Sequence, residues 1–158
     1  MNAFQYSPEN KKRFDEVLRR YPVKRAAMLP ALWLVQRQEG WVSPEAMEYV
    51  AGLLELAPAR VYEVATFYTM FNLHPVGKYH FQVCRTLPCQ LMGAERITEH
   101  LEKKLNLRCG ETDKALRFTL SEVECLGSCG TAPMLQLNDE YHENLTPEKL
   151  DALIASLK

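Results

Sequence analysis

The sequence predicts an α+β (α/β) chain in two parts, a small helical bundle over residues 1–74 and a β-α-β-β-α domain over residues 75–158. Three observations predict it. From Ser7 to Phe71 apolar residues recur at helical spacing behind proline-marked starts. After the turn-rich stretch Asn72-Leu73-His74-Pro75-Val76-Gly77 the apolar period changes from 3.6 to 2, which marks a domain boundary. Beyond it, cysteines come in two tight pairs, each at the expected end of a strand.

Ser7-Pro8-Glu9 and Ser43-Pro44-Glu45 each supply a hydroxyl cap, a proline whose missing N–H costs nothing in a first turn, and an acid at the positive end of the helix dipole. Ala57-Pro58 is a weaker third start. Behind these, Phe14, Val17, Leu18 and Tyr21 form the apolar stripe of the first helix. Met47, Val50, Ala51 and Leu54 form that of the third, and Val61, Val64, Ala65 and Tyr68 that of the fourth. The second helix, from Lys24 to Gln38, presents Leu29, Leu32, Trp33 and Gln36 on one face. Pro30 removes a backbone donor within it and predicts a kink or a late start. Four short amphipathic helices without strands make a small bundle. Trp41 to Tyr68 has the cadence of a DNA-reading helix-turn-helix, but Val61 to Phe71 carries no Arg or Lys and includes Glu63, which argues against phosphate contacts. At the end of the bundle Phe67, Tyr68, Met70 and Phe71 crowd apolar side chains together, either as core or as a docking surface.

In the second part Tyr79, Phe81 and Val83 alternate with polar residues and predict a strand ending at Cys84. Pro88 opens a helix with the stripe Leu91, Ala94, Ile97, Leu101 and Leu105, which puts Cys89 in a first turn whose free N–H groups favour an anionic sulfur. A second strand from Leu116 to Glu124 delivers Cys125, with a slip in alternation at Ser121-Glu122 that predicts a bulge. Met134 to Leu137 and Tyr141 to Asn144 form a hairpin across Asn138-Asp139-Glu140. Thr146-Pro147-Glu148 starts a last helix with Leu150, Leu153, Ile154 and Leu157 inward.

The cysteines carry the chemistry. Cys84 and Cys89 are spaced C-x4-C, Cys125 and Cys129 C-x3-C, with 35 residues between the pairs. Two such loops complete a four-sulfur cage for structural zinc or an iron–sulfur cluster, and spacing alone leaves the two close. Zinc knuckles favour two intervening residues, whereas brackets of four and three suit two irons that each take two sulfurs. Cys109 lies outside both brackets and is read as a bystander thiol. His74, His80, His100 and His142 are scattered, so a Rieske-type site is not expected. There is neither a C-x-x-C redox motif nor a Gly-rich dinucleotide motif, so neither thiol–disulfide catalysis nor a dinucleotide site is expected on this chain. Arg85 is the one formal positive charge inside either bracket and is expected to favour the reduced form of an anionic centre.

With 158 residues the chain needs no disulfides, and 19 basic against 20 acidic residues call for neither nucleic acid nor an anionic membrane. Another protein is the expected partner. Five cysteines and an N-terminus, Met1 to Tyr6, without basic or apolar signal regions predict a cytoplasmic location.

Together, Val64-Ala65-Thr66-Phe67-Tyr68, Cys84 and Cys89 followed by Leu91-Met92-Gly93, and Glu124-Cys125-Leu126-Gly127-Ser128-Cys129 followed by Ala132-Pro133 and Asn138-Asp139 resemble one family. It is the thioredoxin-like [2Fe–2S] subunit of NADH:quinone oxidoreductase, the 24 kDa-type subunit of respiratory complex I. Related subunits occur in NAD-linked hydrogenases and formate dehydrogenases. The resemblance implies a thioredoxin-like second domain and one [2Fe–2S] cluster on Cys84, Cys89, Cys125 and Cys129. It also implies docking, with help from the bundle, on a larger subunit that carries FMN, the NADH site and a separate iron–sulfur cluster. Electrons would enter as hydride at that flavin and pass singly to the cluster, which would hold an electron or tune the flavin off the main path to quinone. The chain would then sit in the cytoplasm or, within a peripheral arm, at the cytoplasmic face of the membrane. Where the family has a Pro-Asp-Gly turn between the pairs, this chain has Gly110-Glu111-Thr112, which leaves the entry to the second strand to be explained.

Overall fold

The computed structural model describes residues 4–157; Met1 to Ala3, part of the N-terminal stretch read for a signal region, and Lys158 lie outside the described residues. The chain divides into two compact units, Met1–Pro75 and Val76–Lys158. Each has its own hydrophobic core.

The first unit holds four α-helices: α1 (Pro8–Leu18), α2 (Met28–Glu39), α3 (Pro44–Leu54) and α4 (Pro58–Phe67), with a short 3-10 turn at Lys24–Ala27 leading into α2. The Ser7 hydroxyl accepts from Asn10 N–H and the Ser43 hydroxyl from Ala46 N–H, so both serines cap as their spacing predicts. Ala57 has no such bond. Pro30 falls in the first turn of α2, where its missing donor has no partner to lose, so the helix starts late instead of kinking. That late start also resets the buried face. Met28, Ala31, Leu32, Leu34 and Val35 are buried, while Leu29 and Trp33 only flank the core. Gln36 is there for another reason: its amide donates to Met70 O at 2.8 Å and accepts from Asn72 N–H at 2.6 Å, tying down the exit from α4. Met47, Val50, Ala51 and Leu54 of α3 are buried as expected. Tyr21 lies beyond α1 and is exposed.

The second unit contains β1 (Tyr79–Cys84), α5 (Leu87–Leu91), α6 (Ala94–Leu105), β2 (Phe118–Val123), a 3-10 turn at Cys129–Thr131, β3 (Leu135–Leu137), β4 (Glu140–His142) and α7 (Pro147–Ser156). The hairpin supplies two strands, so the sheet has four, in the order β2-β1-β3-β4. β1 and β2 are parallel; the other pairings are antiparallel. Phe81, Val83, Leu120 and Leu135 form a central row of the core, with α6 against β1 and β2 and touching α7.

Four local expectations are corrected. The helix after Pro88 breaks at Gly93, whose φ of 96° is a left-handed conformation that favours glycine. As a result Leu91 leaves the predicted stripe and is exposed, while Ala94, Ile97 and Leu101 stay buried. No bulge interrupts β2, which pairs with β1 in unbroken register from Tyr79↔Phe118 to Cys84↔Val123. β2 begins at Phe118, not Leu116, because Leu116 lies in a left-handed turn with φ 52°. The hairpin turns across Asn138 and Asp139 alone, with Asn138 at φ 54°.

The entry to β2 is an antiparallel return in place of the family's turn. Gly110 N–H donates to Leu120 O, Leu120 N–H to Glu111 O, and Asp113 N–H to Phe118 O. The hydroxyls of Thr112 and Thr119 meet at 2.8 Å. At the same end of the strand pair, Gly77 passes so close to β2 that a Cβ there would lie 2.6 Å from Phe118 N, which only glycine allows.

Candidate metal centre

β1 places Cys84 at its C-terminal end, where Cys84 N–H donates to Met134 O and Arg85 N–H to Val123 O. Cys89 follows in the first turn of α5 as predicted. Both sulfur-bearing residues are nearly inaccessible, at 2% and 1% exposure. β2 delivers the second loop, in which Cys125 and Cys129 are exposed. Gly127, at φ 83°, turns its N–H onto Cys125 Sγ at 3.4 Å.

The fold brings the predicted thiols into two pairs that act on one another electrostatically. Cys125 Sγ and Cys129 Sγ are 3.7 Å apart. Cys84 and Cys89 influence one another, and Cys84 acts electrostatically on Cys125 and Cys129, as Cys129 does on Cys89. Backbone hydrogen bonding from Leu126 to the Cys84 sulfur links one loop to the other. Within each pair one thiol is poised for ionisation. Burial pushes Cys84 up, but hydrogen bonds from the Thr86 hydroxyl, the backbone of Thr86 and Leu126, and Cys89 outweigh it and bring it below the usual thiol value. Burial and the neighbouring Cys84 raise Cys89. The Gly127 N–H lowers Cys125, which in turn raises Cys129.

The donor set fits a metal–sulfur group. A metal–sulfur bond of about 2.3 Å with tetrahedral angles separates two ligand sulfurs by about 3.8 Å, close to the Cys125–Cys129 separation of 3.7 Å. Among the described residues no three Cys, His, Asp or Glu side chains converge on a single ion position; the cysteines meet as two pairs. Four ionised thiols need compensating positive charge, and [2Fe–2S] in its oxidised form brings two ferric ions against two sulfides.

Arg85 is not an unbalanced charge. Its guanidinium binds the Glu124 carboxylate, the residue preceding Cys125. Cys109 donates its N–H to Glu102; burial, then Glu122, push its thiol up. His80 and His100 are engaged by Ser121 and Asp151.

Sequence reasoning passes over the residues that hold the second loop. Glu143 accepts hydrogen bonds from the hydroxyls of Ser128 and Thr131, the latter at 2.6 Å. Tyr141 Oη donates to Leu126 O at 2.8 Å, and Asn144 N–H to Thr131 O. All three sit in or just after β4, and nothing in their spacing from the cysteines announces the contact. In the first unit Phe71 is core against Trp33, whereas Phe67, Tyr68 and Met70 are exposed, with Tyr62 nearby in sequence also exposed.

A family model described as thioredoxin-like [2Fe–2S] ferredoxin matches residues 14–158. A relative from Rickettsia prowazekii (strain Madrid E), named as a subunit of NADH-quinone oxidoreductase, is 51% identical over 155 residues, covering 96% of this chain and 88% of its own. Its namesake from Rickettsia bellii (strain RML369-C) is 49% identical, covering 98% and 95%. Among solved structures, an NAD+-reducing [NiFe]-hydrogenase in the air-oxidized state superposes with a TM-score of 0.73 at 21% identity, over 83% of this chain and 22% of that one. The last likeness concerns the fold.

Proposed function

The chain belongs to the thioredoxin-like [2Fe–2S] ferredoxin family, and on that premise we propose that Cys84, Cys89, Cys125 and Cys129 hold its cluster and that it exchanges single electrons with the FMN of an NADH-oxidising partner protein. It is an electron-transfer subunit of the NADH-quinone oxidoreductase type, part of a larger oxidoreductase complex. What supports the ligand set is the placement of two thiol pairs on two loops at the neighbouring C-terminal ends of the parallel strands β1 and β2.

When bound, the cluster supplies reversible one-electron storage. The chain's residues do the rest. Cys84 and Cys89 are buried and keep water from one side, while Cys125 and Cys129 lie on an exposed loop, which gives electrons a short path to a docked redox partner. No residue of the chain offers a hydride acceptor, so NADH and FMN belong on the partner. The bundle, residues 1–74, is the docking part and residues 75–158 the cluster domain. Exposed Phe67, at 75%, together with Tyr62, Tyr68 and Met70, supports docking through the end of α4. Among the described residues no helix is long and apolar enough to cross a membrane.

The test is iron and sulfide analysis with visible and EPR spectra of anaerobically purified protein, together with identification of what co-purifies. About two irons and two sulfides per chain are expected. A colourless protein with one zinc overturns the electron-transfer reading. Co-purification with hydrogenase or formate dehydrogenase subunits would overturn the quinone-linked assignment.

A further inference from the structure

The geometry points to Thr86 as a determinant of the cluster's reduction potential: its hydroxyl is a hydrogen-bond donor to Cys84, the first cysteine of the first pair. This rests on the ligand set proposed above.

Thr86 occupies the N-cap position of α5, where a threonine hydroxyl ordinarily accepts from an N–H in the first turn. It makes no such bond. The Oγ1 atom instead lies 3.3 Å from Cys84 Sγ. Between free thiols either partner can donate. Once Cys84 is a metal-bound thiolate its sulfur has no proton to give, and the threonine hydroxyl supplies the hydrogen of this contact. A donor aimed at a thiolate stabilises the added negative charge of the reduced state more than the oxidised state, so it raises the potential.

The backbone donors nearby are separable from it. Thr86 and Leu126 hydrogen-bond Cys84 through their backbones, and Gly127 N–H reaches Cys125. None of these depends on the Thr86 side chain. Thr86→Val keeps the shape and removes the hydroxyl; Thr86→Ser keeps the hydroxyl and removes the methyl group.

The experiment is a redox titration followed by EPR on the full chain, with iron and sulfide measured in every sample. Thr86→Val is expected to lower the ratio of reduced to oxidised cluster at a fixed potential by about three- to tenfold, a fall of about 30–60 mV for one electron. Thr86→Ser is expected to titrate with the wild type. A fully loaded Thr86→Val protein with an unchanged potential overturns the inference. Should Thr86→Val not take up the cluster, Thr86→Ala and Thr86→Ser decide: a lower potential in the alanine variant carries the inference, and equal potentials overturn it. A wild-type chain without two irons and two sulfides fails the underlying reading instead, which separates the two outcomes.

Discussion

The guanidinium of Arg85 donates two hydrogen bonds to a single carboxylate oxygen of Glu124, from Nε at 3.0 Å and Nη2 at 2.7 Å. It joins the residue after the first cysteine of one loop to the residue before the first cysteine of the other. On sequence alone Arg85 is a lone cation beside an anionic centre; in the structure its field is largely cancelled by a carboxylate in the same chain. Both side chains are more than half exposed, so the pair contributes little to stability. Its effect is on the local potential. Arg85→Gln leaves Glu124 unopposed and should lower the midpoint, Glu124→Gln frees Arg85 and should raise it, and the double variant should return near wild type. Each single shift is expected to be on the order of 10 mV at low salt and to shrink as salt is added. Redox titrations at two ionic strengths measure this, and single variants that move in the same direction would refute it.

Serine at each of the five cysteines separates ligands from bystander. Cys84→Ser, Cys89→Ser, Cys125→Ser and Cys129→Ser should lose or alter the visible and EPR spectra, because each thiol belongs to one of the two pairs that act on one another. Cys109→Ser should leave both unchanged, since it lies outside both brackets and its N–H is held by Glu102. A lost cluster in Cys109→Ser, with one retained in any of the other four, would reverse the assignment.

The loop bearing Cys125 and Cys129 is exposed and owes its shape to β4 and the residues after it. Glu143→Ala removes the acceptor that holds Ser128 and Thr131 together. The cluster should still form, but an iron chelator should strip it several-fold faster than from wild type. Glu143→Gln, which keeps an acceptor oxygen, should fall between the two. Equal stripping rates in all three proteins would mean that the loop is held by other contacts.

Gly77 tests the fold independently of the metal. A Cβ there would stand 2.6–2.8 Å from the backbone of Arg117 and Phe118, and Gly77 N–H donates to the buried Thr119 hydroxyl at 2.7 Å. Backbone cannot yield as a side chain can, so Gly77→Ala should cost about 1–3 kcal/mol in urea unfolding. A stability within error of wild type would show that β1 and β2 separate there at little cost.

What is legible in the sequence follows from how local its cause is. Ser7 and Ser43 cap the residues their spacing predicts, because a cap involves only the next three residues. Cys84 ends a strand because alternation and a following proline bound it. The break at Gly93 is hidden since a continuous stripe from Leu91 to Leu105 outweighs one glycine on paper, whereas left-handed φ decides the matter in space. The apparent slip at Ser121-Glu122 reflects a half-covered strand: Thr119 and Leu120, on opposite faces, are both buried while Ser121 and Glu122 are partly exposed, so alternation fails without any bulge. Glu143 and Glu124 are invisible as site residues because their contacts depend on how strands and loops meet, not on spacing from a cysteine.

His80 makes stability depend on pH. It lies on β1, partly buried, with Nε2 2.6 Å from Ser121 Oγ on β2. Burial lowers its pKa from 6.5 to about 4. The folded chain therefore resists a proton that the unfolded chain accepts. The unfolded state binds more protons between about pH 6.5 and pH 4, so stability falls as pH drops through that window and is unaffected by this group above it. By pH 5 the loss from this residue should be about 2 kcal/mol relative to pH 7. His80→Gln keeps a hydrogen-bonding side chain but cannot titrate, so its urea-unfolding free energy should fall less between pH 7 and pH 5 by that amount. Comparing the two slopes cancels the acid sensitivity of the carboxylates and of the cluster, which both proteins share. Equal slopes would mean that His80 takes up its proton in the folded state as readily as in the unfolded one.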